Sequence, residues 1–233
     1  MIDRISSSSI DSLAGGLVVS VQARSGSPLR STLIIAAISL AILESRPAGL
    51  RLNGPEDIRA VRPLTDLPII GLHKVTSDRR SVITPSLALA AGLAEAGADI
   101  IAIDATTEVL GEDFSLIATV AQETGLPVMA DVSTLAEGRR AWETGAALVG
   151  TTLSGYTPES GSFDGGPDLA LVSGLADVGV RVVAEGRYRT LADVKSAFEL
   201  GAYSVVVGGA ISDPSAIAAR FIGASPRGRA LPS

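Results

Sequence analysis

Glu199-Leu200-Gly201-Ala202-Tyr203-Ser204-Val205-Val206-Val207-Gly208-Gly209 is the stretch that decides the fold. Gly201 stops a helix and a β-branched run then makes a strand. The strand breaks into two glycines, whose backbone N–H groups are free to approach an anion. Ala210-Ile211-Ser212-Asp213-Pro214 follows as a helix start, with Asp213 as N-cap and Pro214 at the first helical position. A helix N-terminus favours negative charge. Upstream, Arg181-Val182-Val183-Ala184-Glu185-Gly186-Arg187 has the same form, an apolar run that ends in glycine. Two successive strand ends of this kind predict a phosphate cradle at Gly186, Gly208 and Gly209.

The junction recurs. Glu95-Ala96-Gly97-Ala98 and Glu143-Thr144-Gly145-Ala146 match Glu199-Leu200-Gly201-Ala202, and seven residues past each glycine lie Asp104, Thr152 and Gly208. These are equivalent strand ends. Extended to the whole chain, the pattern predicts strands at 17–22, 50–52, 68–72, 99–103, 128–130, 147–149, 180–184 and 203–207. Helices are expected at 32–44, 56–61, 84–95, 113–123, 135–143, 168–177, 191–200 and 214–222, with an irregular polar stretch after Lys74. Eight alternating units predict a (β/α)8 TIM barrel occupying residues 1–224 as a single domain. A short amphipathic helix through Ile2, Ile5, Ile10 and Leu13 would precede it, and residues 225–233 would form a mobile tail. Gly15-Gly16 is no dinucleotide fingerprint, because it precedes the first strand. In such a barrel phosphate is commonly held after strands seven and eight, where the opening stretch falls.

Composition narrows the classes. The 233 residues carry a net charge of −6 with both signs interspersed, which argues against a nucleic-acid footprint. With 46% hydrophobic but 3% aromatic residues, small aliphatic side chains must fill the core. There is no cysteine and one histidine, so neither a thiolate nor a transition-metal site is expected. The N-terminal stretch has Asp3, Asp11 and a serine run where a signal peptide needs apolar residues, and the apolar run 33–43 is too short to span a bilayer. A cytoplasmic protein with no membrane partner is expected. The apolar helices 32–44 and 87–95 would suit a homodimer interface.

Polar residues at the strand C-terminal ends would converge over one mouth: Gln22, Arg51, Lys74, Asp104, Asp131, Thr152, Ser154, Glu185 and Arg187. Lys74 stands out because the other lysine, Lys195, falls on a surface helix. At the mouth it would act as phosphate ligand, Schiff-base former or proton-transfer base. The last role requires its pKa to fall from about 10.4 toward about 7–8. Glu185 ends an apolar strand, so it is expected to pair with Arg187, Lys74 or a substrate hydroxyl. His73 would face away from Lys74 on a continuing strand, which sets it outside the site. Trp142 sits at core spacing on its helix.

Taken in order, Gly16-Leu17-Val18-Val19-Ser20-Val21-Gln22-Ala23, Gly49-Leu50-Arg51-Leu52-Asn53-Gly54, Ala130-Asp131-Val132-Ser133-Thr134, Gly150-Thr151-Thr152-Leu153-Ser154-Gly155-Tyr156-Thr157, Ala184-Glu185-Gly186-Arg187 and Val206-Val207-Gly208-Gly209-Ala210-Ile211 resemble the N-acetylmannosamine-6-phosphate 2-epimerases, also called N-acylglucosamine-6-phosphate 2-epimerases. The resemblance runs from Gly16 to Phe221. It implies a barrel that interconverts N-acetylmannosamine 6-phosphate and N-acetylglucosamine 6-phosphate in sialic-acid catabolism, without metal or other cofactor. It further implies Lys74 and Glu185 as catalytic residues and Gln22, Arg51 and Asp131 as substrate contacts. Thr152, Ser154 and Arg187 complete the expected substrate-binding set, and Gly186, Gly208 and Gly209 the phosphate-binding set.

Two loops depart from the family pattern. After Lys74 the family continues with arginine and an acidic or aromatic run, where this chain has Val75-Thr76-Ser77-Asp78-Arg79-Arg80. After Asp104 it carries lysine or arginine with proline, where this chain has Ala105-Thr106-Thr107-Glu108-Val109. Both changes remove positive charge, which Arg79 or Arg80 would restore if that loop folds over the mouth. A different sugar phosphate as substrate, or a sensor that binds without turnover, are the alternatives these loops leave open.

Overall fold

The computed structural model describes residues 8–24, 26–77, 79–162 and 165–226. Ile2 and Ile5 of the expected leading helix, and residues 227–233 of the expected tail, lie outside that range.

The chain order is α1 (Ser8–Asp11), β1 (Leu17–Val21), α2 (Thr32–Leu43), β2 (Gly49–Asn53), α3 (Pro55–Val61), a 3-10 turn (Arg62–Leu64), β3 (Ile69–Leu72), β4 (Lys74–Thr76), β5 (Ser81–Ile83), α4 (Leu87–Glu95), β6 (Ile100–Asp104), α5 (Thr107–Leu110), α6 (Ser115–Thr124), β7 (Val128–Asp131), α7 (Leu135–Glu143), β8 (Leu148–Gly150), α8 (Leu169–Asp177), β9 (Val182–Glu185), α9 (Leu191–Glu199), β10 (Ser204–Val207) and α10 (Pro214–Ala224). Eight parallel strands close in the order β1-β10-β9-β8-β7-β6-β3-β2. The fold is a TIM barrel.

The period of two along each strand sorts side chains between two cores. Val19, Leu50, Leu52, Ile101, Ile103, Val149 and Val205 pack outward with the helices. Val18, Ile70, Ile100, Ala102, Met129, Val183 and Val206 fill the barrel interior, which Ile10 and Leu13 close from below. Continuing the inward rows one step toward the strand C-termini gives Ser20 after Val18, Asp104 after Ala102, Asp131 after Met129 and Glu185 after Val183. The same alternation points Arg51 inward between Leu50 and Leu52. The site is therefore the polar top layer of the apolar interior.

Two local features differ from the sequence reading. The expected irregular stretch after Lys74 is an antiparallel hairpin, β4 paired with β5 through Lys74↔Ile83, Val75↔Val82 and Thr76↔Ser81. It escapes the pattern because its strands are three residues long and mostly exposed, so no buried face imposes an alternation. The short helix α5 is also additional, started by Thr106 at the strand end. Among the apolar helices, α2 leaves Leu33 81% and Leu40 52% exposed, whereas no large apolar side chain of α4 is exposed. Trp142 packs against the outer core, and Lys195 lies at the surface, 3.6 Å from Glu199.

Candidate active site

The site is built around a guanidinium. Arg51, on β2, forms a two-pronged pair with Asp131 at the end of β7, with Nη1–Oδ1 at 3.2 Å and Nη2–Oδ2 at 2.5 Å, and its Nη1 also donates to Glu185 Oε2. Its side chain is 1% exposed and that of Asp131 0%. Glu185 was expected to pair with Arg187, Lys74 or substrate; it pairs with Arg51 instead. Closure of the barrel brings β2 opposite β9, a proximity no local pattern reveals. Thr152 ties the carboxylates together, donating to Asp131 Oδ1 at 2.5 Å and lying 3.2 Å from Glu185 Oε2. Gly150 makes this possible: a Cβ there would lie 2.7 Å from Asp131 Oδ1 and 2.5 Å from Met129 Cε.

Glu185 is the charged member of this cluster that reaches the cavity, with Thr152 beside it. Burial pushes its carboxyl up to about 7, Arg51 pulls the other way, and the Asp131 charge adds to the rise. Lys74 starts β4 at the opposite side of the mouth, its backbone N–H held by Asn53 Oδ1 at 2.8 Å. Its side chain is open to solvent by area. Even so, the surrounding walls lower its pKa by desolvation, and Arg51 lowers it further against the opposing pull of Glu185 and Asp131. Arg51 itself loses by burial and gains more from Asp131 and Glu185, so it stays charged. Among the described residues no ion pair holds the Lys74 ammonium. The arrangement is an acid and a base of converging proton affinity facing one space.

Two clefts flank this pair. One, of about 430 Å³, is lined by Gln22, Arg24, Arg30, Asn53 and Lys74. Gln22 donates to Ser20 Oγ at 2.7 Å, leaving its own Oε1 buried without a partner. The other, of about 340 Å³, lies over Glu185, Gly186, Gly208 and Gly209 and is walled by Arg187, Tyr188, Arg189 and Arg220. Gly186 and Arg187 turn the chain there with φ of 109° and 60°, values that suit glycine and strain arginine. Arg187 is held in place by donating to Ser154 O at 2.6 Å and Gly166 O at 2.8 Å, with its guanidinium 5.4 Å from the Tyr156 ring. Ser154 is 2% exposed and its hydroxyl donates to Asp168 Oδ2 at 2.6 Å, so the structure places it beneath the loop rather than with the Lys74–Glu185 pair.

The hairpin lies against the strand end of β6. Arg80 donates to Asp104 (2.5 and 3.2 Å), to Glu108 Oε2 at 2.8 Å and to Thr106 Oγ1 at 3.0 Å, while Arg79 lies 3.7 Å from Glu108. Asp104 is thus spoken for. His73 is half-buried on the neighbouring side, its N–H donating to Thr84 Oγ1 at 2.9 Å. Sequence reasoning missed Tyr188, Arg189 and Arg220. The signal for the first two was their place directly after Gly186-Arg187. For Arg220 it was the spacing of four from Ala216 on α10, which puts both on one helix face. No group of three or more His, Cys, Asp or Glu side chains suited to a metal ion occurs among the described residues.

The chain matches the family described as "NanE: Putative N-acetylmannosamine-6-phosphate epimerase" over residues 35–226. A relative of that name with the number 2 before epimerase, from Klebsiella pneumoniae subsp. pneumoniae, is 45% identical over 199 residues, covering 85% of this chain and 84% of its own. Another so named, from Clostridioides difficile strain 630, is 39% identical over 217 residues, covering 91% of this chain and 97% of its own. Among solved structures, the N-acetylmannosamine-6-phosphate 2-epimerase from Clostridium perfringens superimposes with a TM-score of 0.83 at 38% identity, covering 91% of this chain and 94% of that one.

Proposed function

The chain belongs to the N-acetylmannosamine-6-phosphate epimerase family, and from that premise we propose that it interconverts N-acetylmannosamine 6-phosphate and N-acetylglucosamine 6-phosphate by proton transfer at C2, in sialic-acid catabolism. The observation that carries the mechanism is the pairing of Lys74, with lowered pKa, and Glu185, raised to about 7, across one mouth.

Inverting C2 means removing a carbon-bound proton beside the aldehyde of the open-chain sugar and returning one to the opposite face. Lys74, as the neutral amine, takes the C2 proton. The electrons of the broken C–H bond move into the C1–C2 bond, and the charge that grows on O1 is met by a proton from the Glu185 carboxyl. The Lys74 ammonium then returns a proton to the other face of C2 while Glu185 takes the O1 proton back, so both groups end as they began. Arg51 and Asp131 are buried under Glu185, so they act on the substrate through it: Arg51 keeps Lys74 from holding its proton too tightly, and Asp131 orients Arg51. Thr152 and Gln22 offer hydroxyl and amide groups to the sugar, and the phosphate sits over Gly186, Gly208 and Gly209, fixing C2 relative to Lys74.

We extend the proposal to the cytoplasm as the place of action; separately, no described helix is long and apolar enough to cross a membrane. We also extend it to a homodimer formed through the outward faces of α2 and α10. Incubation with N-acetylmannosamine 6-phosphate in deuterium oxide, followed by NMR, tests the chemistry. The epimer should appear with deuterium at C2, and Lys74→Ala should lose about 10²–10⁴ in rate, the range for one general base. A folded protein that yields neither exchange nor epimer would overturn the reading.

A further inference from the structure

The glycine cradle has a geometry for phosphate but no obvious charge. Arg187, the cation nearest to it in sequence, holds the Ser154 and Gly166 carbonyls and stacks near Tyr156. The N-terminus of α10 does not supply the charge either, because Asp213 already occupies it, its Oδ1 accepting from Ala216 N at 3.1 Å. Arg24, the nearby cation, is 3.1 Å from Asp213 and is thereby used to offset that carboxylate. A sugar phosphate is a dianion, so the remaining walls of the cleft have to carry the balance.

Three side chains on those walls are available to an anion, although Arg189 also acts electrostatically on Asp193. Arg189 and Arg220 both line the cleft, both are exposed, and neither side chain enters a hydrogen bond or ion pair there. Tyr188 lies between Arg187 and Arg189, is 4% exposed, and its hydroxyl has no hydrogen-bond partner. A buried, unpaired hydroxyl is costly unless something completes it. Arg220 reaches the cleft from the second turn of α10, on the face shared with Ala216. Arg189 reaches it from the loop that leads into α9, whose start is fixed by the Thr190–Asp193 capping box.

Resting on the epimerase reading above, we infer that Arg189 and Arg220, completed by the Tyr188 hydroxyl, form the cationic wall that receives the phosphate of the substrate. The glycine N–H groups set its position, and the two guanidiniums supply the charge-assisted bonds that distinguish a phosphorylated sugar from a neutral one. Arg187 then serves the loop that bounds the cleft rather than the anion.

Inorganic phosphate is the probe, since its binding requires no turnover. Calorimetric titration of the wild-type protein should show one phosphate site per chain, weakened about tenfold in Arg189→Gln or Arg220→Gln and about threefold in Tyr188→Phe, in keeping with charge-assisted and neutral bonds respectively. Arg139→Gln, the same charge change on the exposed side of α7, should leave it within about twofold. In turnover, the same arginine variants should raise KM for the 6-phosphate far more than they lower kcat. Unchanged phosphate affinity in a folded Arg189→Gln/Arg220→Gln double variant, or no phosphate binding by the wild type, overturns the inference. A wild type that binds phosphate through Arg220 but leaves N-acetylmannosamine 6-phosphate unaltered would sink the epimerase reading and spare this one.

Discussion

Glu185 is held in the fold at a cost that its chemistry explains. Its carboxyl, at about 7 in the protein against an ordinary 4.5, is raised above its unfolded value. The native state therefore holds the extra proton between those limits. Stability from this group is fully present below about pH 4.5 and is lost as pH rises through 7. Glu185→Gln, which removes the charge and keeps the shape, should be more stable than wild type at pH 8 by on the order of 2–3 kcal/mol, and the gap should close toward pH 5. Thermal unfolding across that range reads it directly; a variant less stable than wild type at pH 8 would contradict the burial argument. For catalysis, the productive form carries one proton shared between Lys74 and Glu185. The rate should climb as pH passes about 7 and fall again at the lowered lysine pKa. Glu185→Gln should abolish most of the activity, and what remains should only rise with pH, through the lysine pKa, because the neutral amine is then the sole titrating requirement. Lys74 and Glu185 were both legible as polar residues ending apolar strands. Their partner was not: Arg51 lies 134 positions from Glu185, and only barrel closure makes them neighbours. A pairing of that kind leaves no spacing in the sequence to read.

At the scale of elements, the barrel was legible because helices α4, α6, α7, α8 and α9 each run into a glycine and the strands are apolar apart from a few positions, and Gly97, Gly145 and Gly201 all adopt the positive φ such ends need. The β4–β5 hairpin was not, since three-residue polar strands carry no periodic signal. It matters because Lys74 is its first residue. The hairpin is tied at its far end by Arg80, whose side chain is 12% exposed, onto the fully buried carboxylate of Asp104 and onto Glu108. Removing Arg80 leaves Asp104 buried and unpaired, a loss of about 3–5 kcal/mol. Arg80→Gln should therefore lower the thermal midpoint sharply and reduce kcat as the lysine arm loosens. Adding Asp104→Asn should recover most of the stability by removing the stranded charge, while kcat stays low because the hairpin remains untied. Recovery of both together would show that Arg80 serves the fold alone. The cation lost from the loops after Lys74 and Asp104 reappears here, since Arg80 meets Asp104. It answers the local carboxylates rather than Lys74, whose pKa is set by burial and Arg51.

At the scale of the whole molecule, the outer helices show where the barrel is not yet finished. Helices α3, α4, α6, α7, α8 and α9 each bury at least one side chain against their neighbours, whereas α10 buries none. Phe221 is 76% and Ile222 57% exposed on α10, and Leu33 81% and Leu40 52% on α2. These helices follow β10 and β1, which pair with each other in the barrel, so the two are successive in the outer ring. Apolar side chains of this size left open are what an association surface presents, and the proposed dimer would bury them by two-fold symmetry without any further partner. A stable interface buries about 800 Å² on each subunit, and two helices of 12 and 11 residues offer a surface of that order. The wild-type protein should then sediment as a dimer at micromolar concentration, with a thermal midpoint that rises with protein concentration. Leu33→Glu combined with Phe221→Glu should sediment as a monomer whose midpoint no longer depends on concentration. Because α10 also carries Arg220, loosening that helix should raise KM for the phosphorylated sugar in the monomer, coupling assembly to the grip on phosphate. A wild type that sediments as a monomer would overturn the dimer, and with it the coupling of assembly to the grip on phosphate.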